Sequence, residues 1–579
     1  MKKLVLLLLG TLLCVTPLAG CQNTPDSSDL PGIHQPDIPL TKIDVRAEWG
    51  VQPGKGNGLQ NSLILAEQLT ALQDNVSVFF PEGEYELAFP MYLIGKTNVV
   101  LEGNGVTIVR THVSNTSARQ NVLDDPAIPD AIRPYTASSS ALVINDCHYI
   151  KAEGFAFKYD APTSLSGTVV SKKGGSVTLE IDDTSDFTGE EYATVINTFT
   201  KDGVPDKTFE QYAATNFPLE KLSDNTLRVD GLDAGGVSNL RKGTRVSLRL
   251  ATGNDYVINV SASTDLIFQS LTMHNSLNGG IIVGGRCQDM TVQGLTVKPE
   301  NEQSLFSLNA DILHISALGG SLHVENCHFE RPGDDCVNVH HMAYVADSVD
   351  GKTVTVRAPR FSFDSSWARK GDKIDFYDPD TFALLGSATV LAINGNQYTL
   401  DTVPEGVGAG GVMSNQALRP QTVIQNTTVI SNRARGFLLQ TDNALVENCT
   451  FKDTALAAIL IAPDLESWYE MSPANTVTVQ KNTFENCGEY ASGIIQITTN
   501  HDTPAMTYPS CIHKNITITE NTFVSGNKNA LYGVCIDTLT FQNNGFSNPQ
   551  NNRVTLKSCK NITLDDQTRQ NSTLTDVDE

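Results

Sequence analysis

Asn309-Ala310-Asp311-Ile312-Leu313-His314-Ile315-Ser316 is followed by Arg331-Pro332-Gly333-Asp334-Asp335-Cys336-Val337-Asn338-Val339-His340-His341, and the two segments read as successive turns of one structure. Each is an acidic corner followed by a short alternating strand, with Asp335 lying 24 positions after Asp311. If one coil of a solenoid takes about that many residues, the acids stack on adjacent coils. Neighbouring strands lie roughly 4.8 Å apart, so carboxyl groups scattered on most folds become neighbours here.

A recurring unit supports the solenoid. Leu322 to Phe329 (LHVENCHF), Ala444 to Phe451 (ALVENCTF), Val477 to Phe484 (VTVQKNTF) and Ile516 to Phe523 (ITITENTF) each run from an alternating strand through an Asn-containing corner to an inward aromatic. Stacked units of this kind form asparagine ladders and phenylalanine columns, and each is too short to bury its own apolar face. Upstream, Val76 to Tyr85 and Asn98 to Ile108 are short β-branched strands broken by Gly and Asn corners. This opening resembles the first coils of pectin-degrading β-helix enzymes. The expected fold is all-β, a right-handed parallel β-helix with two inserted small β-barrel domains.

Both inserts show as a loss of the repeat. Residues 163–250 contain Gly167-Thr168-Val169-Val170 and Lys242-Gly243-Thr244-Arg245-Val246, and residues 343–415 contain Asp350-Gly351-Lys352-Thr353-Val354 and Lys370-Gly371-Asp372-Lys373-Ile374. These are antiparallel strands closed by glycine turns. The β-helix coils then occupy 42–162, 251–342 and 416–579. Lys42 to Arg46 reads as a first strand, Leu59 to Leu72 as a helix covering the open end. The second insert leaves directly after His340 and His341, so it is expected to overhang the acidic corner.

The N-terminus reads as an address. Lys2 and Lys3 precede the apolar run Leu4 to Leu9, and the region ends in Leu18-Ala19-Gly20-Cys21. This resembles a bacterial lipoprotein signal over residues 1–20, with Cys21 lipidated and 21–41 as a tether. No second apolar run reaches the ~20 residues of a membrane span, so membrane attachment is expected through the N-terminal lipid only, in a bacterial cell envelope, with the face left open.

The formal net charge is -24, and -26 once Lys2 and Lys3 are lost with the signal. So acidic a surface makes nucleic acid a poor partner and mildly disfavours a polyanionic substrate. Hydrophobic content of 40% and charged content of 18% suit a large packed core. Of 11 cysteines, Cys14 goes with the signal and Cys21 carries lipid, leaving an odd nine. Cys327 and Cys449 hold the same place in the repeat, as small buried side chains do. No CxxC or His/Cys spacing suggests zinc, so neither metal nor cofactor is expected.

Coils can be aligned by parity on the inward pairs Ile281/Val283, Leu313/Ile315, Val337/Val339, Phe437/Leu439, Ile459/Ile461 and Ile495/Ile497. Two positions before each pair stand Gly279, Asp311, Asp335, Arg435, Ala457 and Gly493. Between the pairs stand Ile282, His314, Asn338, Leu438, Leu460 and Gln496, and after them Gly284, Ser316, His340, Gln440, Ala462 and Thr498. Polar groups gather on the central coils and fade at both ends, the pattern of a site. Arg435 falls one coil beyond Asp335, where it would hold that carboxylate ionised or grip a hydroxyl. His314, Asn338 and His340 are candidate hydroxyl ligands, and Trp468 a candidate stacking platform for a sugar face.

Three aspartates without a metal motif suit glycoside hydrolysis. Asp311 is the expected general acid, and Asp334 with Asp335 the pair that activates water, by an inverting route. The order Asn309-Ala310-Asp311 then Gly333-Asp334-Asp335 is similar to the polygalacturonase-like glycosidases, but no Gly-His-Gly or Arg-x-Lys motif for galacturonate follows. The longer match, Asn-Ala-Asp-x-Leu-His-Ile-Ser with Gly-Asp-Asp-Cys-Val-Asn-Val-His, resembles glycoside hydrolase family 110, the exo-acting α-1,3-galactosidases of bacteria, over most of the chain. That resemblance implies removal of terminal α-1,3-linked galactose from an oligosaccharide or glycoconjugate, branched as in blood group B or linear. It maps the family's acid onto Asp311 and its paired base onto Asp334 and Asp335. A calcium-dependent lyase using Arg435 and a non-catalytic adhesin are the rival classes. Whether the inserts join two copies into a homodimer is left open.

Overall fold

The computed structural model describes residues 32–33, 36–111, 138–182, 192–250, 255–499, 511–527, 529–548 and 553–578. The expected signal, Cys21 and residues 22–31, 34 and 35 of the tether lie outside them. Alternating β-branched segments punctuated by Asn and Gly build one 33-stranded sheet whose paired strands are all parallel, wound as a β-helix. Its register follows the inward pairs: Ile281 faces Leu313, then Val337, Phe437, Ile459, Ile495 and Leu531 on successive coils. Strand Val337–Val339 therefore meets Phe437–Leu439 as if residues 343–415 were absent.

The repeat unit contains two kinds of corner asparagine. In the fifth position Asn326, Asn426, Asn448 and Asn543 turn the chain at φ between 52° and 58°, as Lys481 and Glu520 do on their coils. Asparagine tolerates this left-handed region better than most residues. In the sixth position, pointing inward, stand Cys327, Cys449, Asn482, Asn521 and Asn544. Asn482 Nδ2 donates to Asn521 Oδ1 at 3.0 Å and Asn521 Nδ2 to Asn544 Oδ1 at 3.0 Å, a short buried ladder. The two cysteines occupy the same column, buried and unpaired. In the eighth position Phe451, Phe484, Phe523 and Phe546 stack with centroids 5.0–5.3 Å apart.

The N-terminal end is closed by helix Gly58–Ala71, whose Leu65 and Leu69 sit on the first coils and keep their edge from solvent. The first strand is shorter than the sequence suggests, Thr41–Asp44. Asp44 then accepts the N–H groups of Arg46 and Ala47 and turns the chain into one helical turn, Val45–Trp49.

Strands from Tyr344–Asp350 to Val412–Asn415 close into a six-stranded antiparallel barrel around Trp367, Phe376 and Tyr398. It is fastened to the β-helix by buried charges. Arg286 pairs with Asp372 at 2.5 Å, and Arg419 bridges Asp375 at 2.8 Å and Asp442 at 3.2 Å. The earlier insert, from Ser164–Lys173 to Arg245–Leu250, is a seven-stranded antiparallel sheet over its own apolar core. Its outermost strands, Pro205–Phe217 and Leu219–Ser223, do not pair with each other among the described residues. The former is diverted toward the β-helix instead, where Glu210 meets Arg433.

Candidate active site

The acidic corner forms because each carboxylate caps the backbone of the next coil. Asp335 N–H donates to Asp311 Oδ1 at 3.0 Å, and Arg435 N–H donates to Asp335 Oδ1 at 3.0 Å. Gly333 makes the stacking close: a Cβ there would lie 2.3 Å from the Asn309 carbonyl oxygen, a contact only glycine permits. Asn309 is itself pinned, its carbonyl accepting from Arg249 Nη1 at 2.8 Å and its Nδ2 donating to Thr163 O at 2.9 Å. Asp311, Asp334 and Asp335 thus bring one oxygen each within 4.8 Å of the others.

Cations surround the trio. Arg435 Nη2 reaches Asp335 Oδ2 at 2.6 Å, and Arg433 Nη1 approaches Asp334 Oδ1 at 3.8 Å while donating to Gly333 O at 2.7 Å. Arg433 is oriented by Glu210, both of whose oxygens accept from its Nη2, at 2.6 and 2.7 Å. The side chains that approach Asp334 from outside the β-helix therefore belong to the first insert, where sequence reading looks to the second. Burial works against ionisation of Asp334, yet Arg433, Arg435, Arg249 and Lys207 together hold its carboxyl below the usual range. Asp335 goes the other way. Burial, with Asp334 and Asp311 as like charges, pushes it well up against the pull of Arg435.

A second cluster adjoins the first through Asp311, whose Oδ2 lies 2.6 Å from His314 Nδ1. His314 Nε2 meets His340 Nε2 at 3.1 Å, and Tyr256 Oη lies 3.2 Å from His314 Nδ1. Burial lowers the His314 pKa, but the Asp311 hydrogen bond and charge outweigh it and raise the imidazole above its ordinary value. Burial, then His314 and His341, hold His340 well below its own. Its 3.6 Å approach to Glu470 Oε1 is therefore no ion pair, and burial pushes Glu470 up to about 7 against His314. His314, His340 and Glu470 offer ligand atoms within 4.8 Å of one another, a donor set that would accept a divalent cation.

The remaining candidates divide. Asn338 Oδ1, His340 Nδ1 and both side-chain amide atoms of Gln440 are buried with no protein partner among the described residues, so their hydrogen-bonding capacity is unmet within the protein. Trp468 is not in this cluster. It stands half exposed beside Phe361 and Arg360 of the barrel. Residues that sequence reading overlooks are Tyr256, Glu210, Arg249, Arg433 and Glu470. Arg433 carries a signal, an Arg-x-Arg turn ahead of the strand, and Glu470 lies two residues after the candidate Trp468. Glu210 and Tyr256 carry none, since insert docking brings the first and stacking the second.

No protein-family model matches the chain. It is 32% identical over 267 residues to alpha-1,3-galactosidase A of Akkermansia muciniphila, covering 44% of this chain and 43% of that one. It is 28% identical over 298 residues to alpha-1,3-galactosidase A of Bacteroides fragilis, covering 49% and 48%. With alpha-1,3-galactosidase B of Bacteroides thetaiotaomicron it shares 26% over 352 residues, covering 56% and 55%. The chain spans about half the length of these curated relatives. Among solved structures, Yersinia enterocolitica family 28 exopolygalacturonase covers 94% of this chain and 78% of its own, at 11% identity and a TM-score of 0.42, too distant to bear on function. The chain is a homologue of bacterial proteins named alpha-1,3-galactosidase, consistent with the resemblance of its aspartate motifs to glycoside hydrolase family 110.

Proposed function

We propose that the protein is an exo-acting glycoside hydrolase that removes terminal α-1,3-linked galactose with inversion. The observation that carries this is the gathering of Asp311, Asp334 and Asp335 on adjacent coils, with Arg435 across the corner. The proton that Asp311 shares with His314 across 2.6 Å passes through Asp311 to the glycosidic oxygen as the bond from the anomeric carbon breaks, and the aglycone leaves with that proton. A water attacks the anomeric carbon from the opposite face and gives its proton to a carboxylate. Asp334 is the better acceptor, because four cations keep it ionised and its side chain is 37% exposed. Asp335, with both oxygens engaged by Arg435, orients the water.

The 4.8 Å figure is an approach of nearest oxygens, not the separation of roughly 6.5 to 9.5 Å between whole carboxyl groups by which inverting sites are recognised. Inversion therefore rests on the paired aspartates and the family resemblance. His314, His340, Asn338 and Gln440 are assigned to sugar hydroxyls. Arg435 is already committed to Asp335, which raises its pKa further and makes it a poor proton acceptor, and this speaks against a lyase. A lipid on Cys21 would hold the enzyme at a bacterial envelope.

The test is incubation with branched B-type and linear α-1,3-galactosyl oligosaccharides, with proton NMR of the first sugar released. β-Galactose is expected. Initial α-galactose overturns inversion, and no galactose from either substrate overturns the activity.

A further inference from the structure

Two large aromatic side chains on different parts of the chain stand together in solvent. Phe361, in the barrel loop 358–366, is 53% exposed, and Trp468, in the loop after strand Ile459–Ile461, is 48% exposed. Their ring centroids are 6.3 Å apart with planes inclined by only 20°. Arg360 lies 4.9 Å from the Trp468 ring centre, and among the described residues no carboxylate pairs with it.

The pair is fixed to the edge of the acidic site. The Trp367 indole N–H donates to Met342 O at 2.7 Å, which ties down the Phe361 loop. Met342 forms an antiparallel bridge to Glu470, and Ala343 N–H donates to Tyr469 O at 2.6 Å. Two residues beyond Trp468, Glu470 reaches His340, which meets His314 and through it Asp311. The backbone that delivers Glu470 to the site thus delivers Trp468 to its rim. Rigid exposed aromatics spend little entropy on ordering and suit the C–H face of a pyranose, and an adjacent guanidinium supplies donors for its hydroxyls.

We infer that Phe361, Trp468 and Arg360 form a binding platform for the saccharide on the leaving-group side of the scissile bond, with the inserted barrel supplying two of its three residues. This rests on the galactosidase reading. An aglycone must leave the pocket in some direction, and the segment that carries Trp468 is the one that brings Glu470 to His340. The loop pair defines that direction.

The experiment compares kcat/KM for a linear α-1,3-galactosyl trisaccharide and for methyl α-galactoside, whose leaving group has no ring to stack. Trp468→Ala and Phe361→Ala are each expected to lower the trisaccharide value about tenfold through KM, as loss of one stacked ring would, and to leave the methyl glycoside unchanged. Trp468→Tyr should retain most of the trisaccharide activity. An equal loss on both substrates, or none on either, overturns the platform while the galactosidase reading stands. A wild-type protein that hydrolyses neither substrate overturns both.

Discussion

Asp335 and Arg435 lie 100 residues apart in sequence, yet Arg435 closes on both oxygens of Asp335, its N–H on Oδ1 at 3.0 Å and its guanidinium on Oδ2 at 2.6 Å. Asp335 is 1% exposed. Removing one partner of a buried pair leaves an uncompensated charge and costs about 3 kcal/mol or more, whereas removing both is far milder. Arg435→Met should therefore lower the unfolding midpoint by several degrees, and Asp335→Asn combined with Arg435→Met should recover part of it. Thermal unfolding of Asp335→Asn, Arg435→Met and the double variant measures this. A strictly additive double variant would show that the pair is not coupled.

The Glu210 carboxylate holds Arg433 away from Asp334, at 2.6 Å against 3.8 Å. In Glu210→Ala the guanidinium has Asp334 as its remaining carboxylate neighbour and should move onto it, depressing that carboxyl further and tying up the proposed base. A more depressed carboxyl is a weaker base, so kcat should fall several-fold and the acid limb of the pH–rate profile should shift to lower pH. An acid limb that moves upward, or stays in place with full activity, contradicts this arrangement.

The coil-by-coil register could be read in advance because a β-helix turns sequence position into spatial position. Alternating Leu313/Ile315 and Val337/Val339 admit one parity, and parity places Asp311, Asp335 and Arg435 in a column. Contacts between units that do not repeat were closed to that reasoning. Glu210 reaches Arg433 across 223 residues because an antiparallel sheet leans on the helix, and no local pattern encodes a docking angle. Trp468 shows the intermediate case: its loop was legible as part of the site, but the register of one irregular turn decides which side chain enters. Asp464 accepts the N–H groups of Glu466, Ser467 and Trp468, and the tight turn so formed sends Glu470 inward and Trp468 outward.

Two nitrogens and an oxygen converge at His314, His340 and Glu470, so metal dependence needs a direct answer. In the proposed mechanism these atoms meet sugar hydroxyls, and dialysis against EDTA should leave kcat/KM unchanged. A loss that zinc restores, absent in Glu470→Gln, would make the trio a metal centre and recast His314 as a ligand oriented by Asp311.

His513 sets an acid limit on the C-terminal coils. It is fully buried, its Nε2–H donating to Thr498 O at 2.8 Å and its Nδ1 accepting from Ala474 N–H at 3.3 Å. Accepting at Nδ1 requires the neutral ring, and burial takes its pKa down from 6.5 to about 4. Between those values the unfolded chain binds the proton and the folded chain does not, so stability rises with pH across the window and is lost as pH falls from 6.5 toward 4. Unfolding midpoints measured at half-unit steps should decline over that range more steeply in wild type than in His513→Gln, which carries a donor and an acceptor but does not titrate. His341, buried and brought down to about 3, adds to the same slope from the barrel's root, so the variant should reduce the slope without abolishing it. Parallel curves for the two proteins would show that His513 does not contribute to the acid limit.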